Sequence, residues 1–353
     1  METTTRSKVT IYQVAAEAGV SISTVSKVLA NKAGIRTATR TRVNEAVERL
    51  GYSPNLMARG LMRGQTGIIG LLFPYIAEQL LIDPHLLRVI QGIEETLNER
   101  DYNLLLATSK DTLNPASSFE RLLRGHYFDG AIIIETSEIY GMDLHKLLEQ
   151  QNRPWVLMGY PAGLLRCYAV YADEFMGGQL VADHLLSLGH RRIGLINARP
   201  QPSGVGERVR GFQKVLDAHQ IILDESLVAF GNFQEESGYR AAPLLLQRPD
   251  PPSAIFAIND RMALGVMHWA HENGLRIPED FSIIGFDDIP AAATSHPALT
   301  TVCQPAVEIG RETMRLLFRL LEGEKPPSHI IVGTELICRS TTAPLKASGL
   351  LAS

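Results

Sequence analysis

From Thr66 onward the chain alternates between two kinds of segment. Short apolar runs rich in β-branched residues lie at 67–73, 103–108, 130–134, 155–159, 192–197, 254–258 and 281–286. Helical stretches lie between them at 85–100, 117–125, 144–150, 175–188, 207–219, 235–247 and 260–274. Such alternation means parallel sheets with helices on both faces. The 275 residues from Thr66 to Ser340 are too many for one sheet of this kind, so two Rossmann-like subdomains are expected. Ligands of such sheets bind at the carboxyl ends of the strands, in the cleft between subdomains. The longest apolar runs fall far short of the ~20 residues that span a bilayer, so no membrane segment is expected.

The first 66 residues are different. They carry ten Lys/Arg against four Asp/Glu, a net of +6, while the whole chain has a net charge of −4 and the remainder therefore −10. A basic head on an acidic body suggests a local polyanion-binding piece. Ile11, Val14, Ala15 and Ala18 fall at i, i+3, i+4 and i+7 behind Thr10, a plausible N-cap, and Gly19 follows the last of them. Ser21 can cap a second helix, with Val25, Val28 and Leu29 inward and Ile22, Ser23, Ser26 and Lys27 outward. Two short helices joined by a glycine-containing turn form a helix-turn-helix. A third helix, capped by Thr37 or Thr39, turns Val43, Ala46, Val47 and Leu50 inward and ends at Gly51. The segment 55–62 behind Pro54 contains Gly60 and is too short to be a stable helix alone. It is expected to order only when something docks against it.

The run VTIYQVAAEAGVSISTVSKVLANKAGIRTATRTRVNEAVERLGYSPNLMARGL resembles the DNA-binding head and hinge of the lactose/galactose repressor (LacI/GalR) family of bacterial transcription regulators. ADHLLSLGHRRIGLI, ERVRGF, AIFAINDRMALGVMHWAHENGLRIPEDFSIIGFDD and PALTTV match further family motifs in order. The resemblance implies a small all-α helix-turn-helix head plus an α/β periplasmic-binding-protein-like core of two Rossmann-like subdomains. It implies a head at 1–53, a hinge at 54–65, a core at 66–345 and a tail at 346–353. The core's N-subdomain would take 66–188 and 303–331, and its C-subdomain 189–302 and 332–345. The implied function is sequence-specific repression of a carbohydrate-catabolic operon, switched by a small-molecule effector, a sugar or sugar derivative, in the cleft. By the same resemblance Ile22, Ser23 and Lys27 face base edges in the major groove. Thr10, Tyr12, Ser21, Thr24, Ser26 and Asn31 are candidates for phosphate contacts, which position without specifying. Leu61 would be the wedge in the minor groove, with Asn55, Ala58 and Arg59 lining it.

In the core, Asp287 and Asn259 follow apolar runs and sit where a parallel strand meets the cleft, and Arg208 opens a helix. Fixed polar groups of this kind suit recognition of a polyol. In the family the matching positions hydrogen-bond the effector. Asp173, after the run 168–172, is a fourth candidate, and Phe233 matches an aromatic position that packs on the ligand ring. The chain departs from the family after its first core strand. The loop 74–84 is longer than usual and ends Asp83-Pro84-His85-Leu86, without the usual sugar-stacking aromatics, for which Phe73 and Tyr75 could substitute.

No catalytic constellation is present. The ten histidines form no HExxH, there is no GxSxG or GxxxxGK(S/T), and Gly204-Val205-Gly206 is a lone GxG. An enzyme on a Rossmann scaffold would need such a loop or a nucleophile–base pair, so neither an enzyme nor a cofactor is expected. A plain transport protein would not carry the basic head. Cys167, Cys303 and Cys338 lie far apart with no CxxC, which speaks against a disulfide framework or a zinc site and for a reducing cytosol. The N-terminus has no apolar core of a secretory signal. The last thirteen residues carry no leucine heptad, so a homodimer on a pseudo-palindromic duplex is the expected assembly.

Overall fold

The structure, a computed structural model, describes residues 9–29, 34–52, 65–73, 81–109, 115–125, 127–134, 148–150, 153–161, 167–198 and 204–345. It divides into two units, 1–67 and 68–353.

The first unit contains α1 (Ile11–Ala18), α2 (Ile22–Leu29) and α3 (Thr37–Leu50). Val14, Ala15 and Ala18 of α1, Val25 and Val28 of α2, and Val43 and Ala46 of α3 close one apolar cluster. Gly19 turns the chain at φ 62, a left-handed conformation that only glycine enters without a Cβ penalty. Ser21 Oγ then accepts the Thr24 N–H at 3.2 Å. Helix α3 starts one residue earlier than a threonine cap would place it. Its N-cap is Arg36, whose carbonyl accepts the first N–H groups, and Thr37 is already helical.

The second unit opens with β1 (Ile68–Phe73), α4 (Pro84–Asn98), β2 (Asn103–Thr108), α5 (Pro115–Arg124), β3 (Gly130–Ile134), β4 (Trp155–Met158) and β5 (Ala169–Ala172). It continues with α6 (Glu174–Ser187), β6 (Ile193–Ala198), α7 (Gly204–Ala218), β7 (Val228–Gly231), α8 (Glu235–Leu246), β8 (Ala254–Ala257), α9 (Asp260–Glu272) and β9 (Ser282–Ile284). The last elements are α10 (Pro290–Thr294), β10 (Thr301–Cys303), α11 (Ala306–Leu321), β11 (His329–Val332) and β12 (Glu335–Ile337). Six strands form a parallel sheet in the order β11-β5-β4-β3-β1-β2, and four form another in the order β7-β6-β8-β9. The strand period of two is visible in the larger sheet. Ile69, Leu71 and Phe73 face α4 and α11, while Leu72, Ala131 and Ile133 face Phe119 and Leu123 of α5.

The motif pattern places the first passage between subdomains near Leu188. It falls instead at Asp173, because Val181, Ala182, Leu185 and Leu186 of α6 are buried in the core of the four-stranded sheet. The chain returns between Cys303 and Ala306 and crosses a third time between Val332 and Glu335. The three passages lie abreast. The Asp173 N–H donates to the Val332 carbonyl at 2.8 Å and the Thr334 hydroxyl donates to the Asp173 carbonyl, while β10 pairs antiparallel with β12 through Cys303 and Glu335.

Three helix pairs cross at mutual glycines. These are Gly92 with Gly310 (α4 and α11), Gly178 with Gly211 (α6 and α7), and Gly238 with Gly265 (α8 and α9); a Cβ at any of the six would lie within 2.1 Å of a carbonyl oxygen on the partner helix. The backbones therefore touch without side chains between them.

Candidate functional site

In the head, α2 presents Ser23 and Lys27 to solvent, and α1 presents Tyr12 at 69% exposure. Ile22, read as outward-facing, is half-buried at the first position of α2 and packs against the apolar cluster. The hydroxyls of Ser21, Ser23 and Thr24 lie within 2.9 Å of one another through Ser21. Thr10 donates its N–H and its hydroxyl to Gln13 Oε1 at 2.8 and 3.2 Å. The Ser21, Ser23 and Thr24 hydroxyls are thus held together at the start of α2, and the Thr10 hydroxyl is held by Gln13 at the start of α1. Ser26 is half-buried beside them. Asn31, Asn55, Ala58, Arg59 and Leu61 lie outside the described residues.

In the core, two of the sequence-derived candidates converge. Arg208 and Asp287 come within 4.0 Å, Nη1 to Oδ1, although 79 positions separate them in the chain. Helix α7 begins at Gly204, so Arg208 stands in its second turn and not at its opening. The guanidinium is 4% exposed. Its Nε and Nη2 donate to Glu174 Oε2 at 2.8 and 2.7 Å, Nη1 donates to the Ile258 carbonyl, and its plane lies 3.5 Å over the Phe286 ring. Asp287 Oδ1 accepts from Gln304 Nε2 at 2.6 Å. The chain bends there at positive φ, 118 at Asp287 and 55 at Asp288, and throws the two carboxylates apart. Asp288 faces Arg339 at 2.5 Å.

From the other subdomain the start of α4 reaches into the same place. Asp83 Oδ1 accepts the His85 and Leu86 N–H groups, and Arg88 Nη1 donates to the Asp288 carbonyl at 3.1 Å. Burial pushes the Asp287 carboxyl up to about 8; Arg208 opposes this, and the Asp83 and Glu174 carboxylates add to it. Burial also lifts Asp260, whose carboxylate accepts from Thr301 Oγ1 and the Ile289 N–H. Because Asp287 holds its proton more tightly folded than unfolded, it favours the fold fully below the ordinary carboxylate value near 3.8. That contribution is lost as pH rises to about 8. Thermal melts between pH 5 and 9 should therefore fall toward pH 8 in the wild type, and Asp287→Asn should flatten that slope. An unchanged slope would separate Asp287 from it.

The remaining candidates do other work. Asn259 caps α9 by accepting the Met262 N–H at 3.0 Å, and its amide donates to the Phe233 carbonyl at 3.0 Å. It therefore braces Phe233, which sits at φ 69 and is 39% exposed just before α8. Asp173 caps α6 by accepting the Met176 N–H, at the first passage between subdomains. Phe73, offered as a stacking surface, is 2% exposed inside the core of the six-stranded sheet and has no free face. Tyr75 lies outside the described residues. Glu174, His85 and Gln304 were not read from the sequence, since they approach Arg208 and Asp287 only in the folded chain. Among the described residues no group of His, Cys, Asp or Glu is arranged to hold a metal ion.

Residues 10–55 match the family model for bacterial regulatory proteins of the lacI family, and residues 182–342 match that for a periplasmic binding protein-like domain. The HTH-type transcriptional regulator DegA of Bacillus subtilis (strain 168) is 34% identical over 340 residues, covering 96% of this chain and 99% of its own. Among solved structures, a complex of the transcriptional regulator CelR with cellobiose is similar at a TM-score of 0.73 and 32% identity, over 94% of this chain and 99% of that one. A lac repressor dimer bound to operator and the anti-inducer ONPF is similar at a TM-score of 0.83 and 25% identity, over 95% and 99%.

Proposed function

The chain belongs to the lacI family of bacterial regulatory proteins, and from that premise we propose that it is a cytoplasmic homodimeric repressor of a carbohydrate-catabolic operon. A sugar or sugar derivative bound between the subdomains switches its affinity for a pseudo-palindromic operator. The observation that carries this reading is the polar cluster built from both subdomains, in which Arg208 and Asp287 meet Asp83, His85 and Arg88. A ligand there contacts both halves, so it binds open and closed arrangements with different affinity, which is the condition for a switch. The cellobiose held by the CelR relative supports a sugar as the ligand class, and the operator-bound lac repressor dimer supports the assembly.

On DNA, Ile22, Ser23 and Lys27 enter the major groove, with Lys27 donating to guanine O6 or N7. Thr10, Tyr12, Ser21, Thr24, Ser26 and Asn31 hold phosphates. Asn55, Ala58, Arg59 and Leu61 occupy the central minor groove, where Leu61 wedges the duplex. Arg208, Asp287, Phe233 and Tyr75 contact the effector, with Asn259 and Asp173 holding the loops that carry them. Selection from random duplexes yields the operator, and thermal melting against a sugar panel yields the effector. A ligand at ~100 times its dissociation constant raises stability by about 2.7 kcal/mol. Failure of every sugar both to stabilise the protein and to change operator affinity overturns the reading.

Lys27→Ala on the selected operator should cost roughly 1–3 kcal/mol and relax preference at one base position. Equal weakening on all duplexes would mean that Lys27 touches phosphate alone. Leu61→Ala should reduce operator bending in a circular-permutation mobility assay, and an undiminished bend would remove the wedge.

A further inference from the structure

We propose that Asp260 is a positioning residue: from the buried start of α9 it clamps the bend at 287–288 and so aims the Asp287 carboxylate. The inference rests on the preceding reading that the effector is held at Arg208 and Asp287.

Asp287 and Asp288 both sit at positive φ, 118 and 55, although neither is glycine. Such a conformation persists only where its surroundings over-determine it. Asp260 supplies that constraint from the first position of α9, where it is 0% exposed. Its N–H donates to the Phe286 carbonyl at 2.8 Å, and its Oδ2 accepts the Ile289 N–H at 2.9 Å. One residue thus grips the chain immediately before and immediately after the bend, and residues 287 and 288 must turn out between the two bonds. Its other oxygen, Oδ1, accepts from the Thr301 hydroxyl at the start of β10. A Cβ on Gly285 would come 2.2 Å from that oxygen, so the carboxyl group occupies the space that the glycine leaves open. Both oxygens are engaged by the protein and out of a ligand's reach, so Asp260 acts through Asp287.

Two further bonds reach Asp287. Its N–H donates to the Val302 carbonyl at 2.8 Å, and Gln304 Nε2 donates to its Oδ1. Both come from the strand and passage that lead to the other subdomain, so their grip follows the motion of one half against the other. Asp260 belongs to the C-subdomain, on a helix whose Met262, Ala263 and Val266 are buried in its core. It therefore holds Asp287 to the same frame as Arg208, whose Nη1 stands 4.0 Å from Asp287 Oδ1. A binding group keeps its geometry only when the residues behind it are themselves locked.

The test is calorimetric titration of the full-length protein at pH 7.5 with ribose, glucose, galactose and cellobiose; the one that binds the wild type most tightly is carried to the variants. Asp260→Ala should weaken it about tenfold or more. Asp260→Asn, whose amide oxygen can accept the Ile289 N–H and whose NH2 can donate to Thr301 Oγ1, should stay within about threefold. Thr301→Val removes a buried bond to the same side chain but leaves both ends of the bend gripped, so it too should stay within about threefold. If Asp260→Ala does not fold, Asp260→Ser, whose hydroxyl stands one bond short of Ile289, reads the same loss. Melts of the ligand-free variants between pH 5 and 9 give a second readout. Asp260→Ala and Asp260→Asn both lack the titration of Asp260, and Arg208, Asp83 and Glu174 face Asp287 in both, so a difference in slope between them reports the placing of Asp287. The slope should flatten in Asp260→Ala and persist in Asp260→Asn. Undiminished sugar binding by Asp260→Ala overturns the proposal, and so does an equal loss in Thr301→Val, which would make affinity a follower of stability. If none of the four sugars binds the wild type, the sugar reading falls by itself, and equal slopes in the two Asp260 variants then overturn the positioning role.

Discussion

Arg208→Ala should abolish any thermal response to the effector and cost about 3–5 kcal/mol of stability, the loss typical of breaking a buried ion pair from one side. For a core of this size that lowers the melting temperature on the order of 10 °C. The magnitude follows from what is left behind. Glu174, with its side chain only 12% exposed, loses both charge-assisted hydrogen bonds from the guanidinium, the Ile258 carbonyl loses its donor, and the face of Phe286 is uncovered. Arg208→Lys should recover little, because a point charge on a flexible stem cannot serve a carboxylate and a carbonyl while lying flat on a ring. The double variant Arg208→Ala with Glu174→Gln should be more stable than Arg208→Ala alone, since the stranded charge is gone. A double variant that loses the full sum of the two single losses would mean that the pair is not coupled.

Gly178→Ala should be among the most damaging one-methyl changes in the C-subdomain. A Cβ there would sit 1.9 Å from the carbonyl oxygen of Arg208 and 2.8 Å from the Phe212 nitrogen, both backbone atoms. No rotamer relieves the clash, so α6 and α7 must move apart, at the ~1–3 kcal/mol or more that overpacking costs. The movement also displaces the guanidinium from Glu174 and Phe286, so effector response should fall with stability. Gly333→Ala, with nothing within 4 Å of its Cβ, is the matched control. Equal melting temperatures for the two variants would contradict the close crossing.

Each expected apolar run contains a strand, because runs of buried apolar residues leave a continuous signal that needs no partner to interpret. Helix α11 carries a stripe of Ile309, Met314 and Leu317, but it is flanked only by the three-residue β10 and the half-exposed β11, so no strong strand run marks its place. The boundary at Leu188 failed for a deeper reason. Helix α6 packs through Gly177 and Gly178, and glycine contact is invisible to hydrophobic periodicity. Phe73 was misjudged although its parity was legible: it shares a face with Ile69 and Leu71, and that face is core. Arg208 and Asp287 could be anticipated from their places at a helix start and a strand end. His85, Glu174 and Gln304 could not, since they acquire meaning only when three distant segments meet.

The three passages between subdomains, bonded edge to edge, behave mechanically as a flexure. A narrow strip of hydrogen-bonded chain bends easily about the line across its width and resists shear and twist in its own plane. The glycine-locked helix pairs on either side leave each half little internal compliance. Motion of one half against the other is then easiest as a rotation about that strip, and His85 and Arg208 stand on opposite halves. A small change in the gap at those two residues becomes a rotation of whole subdomains and not a local rearrangement.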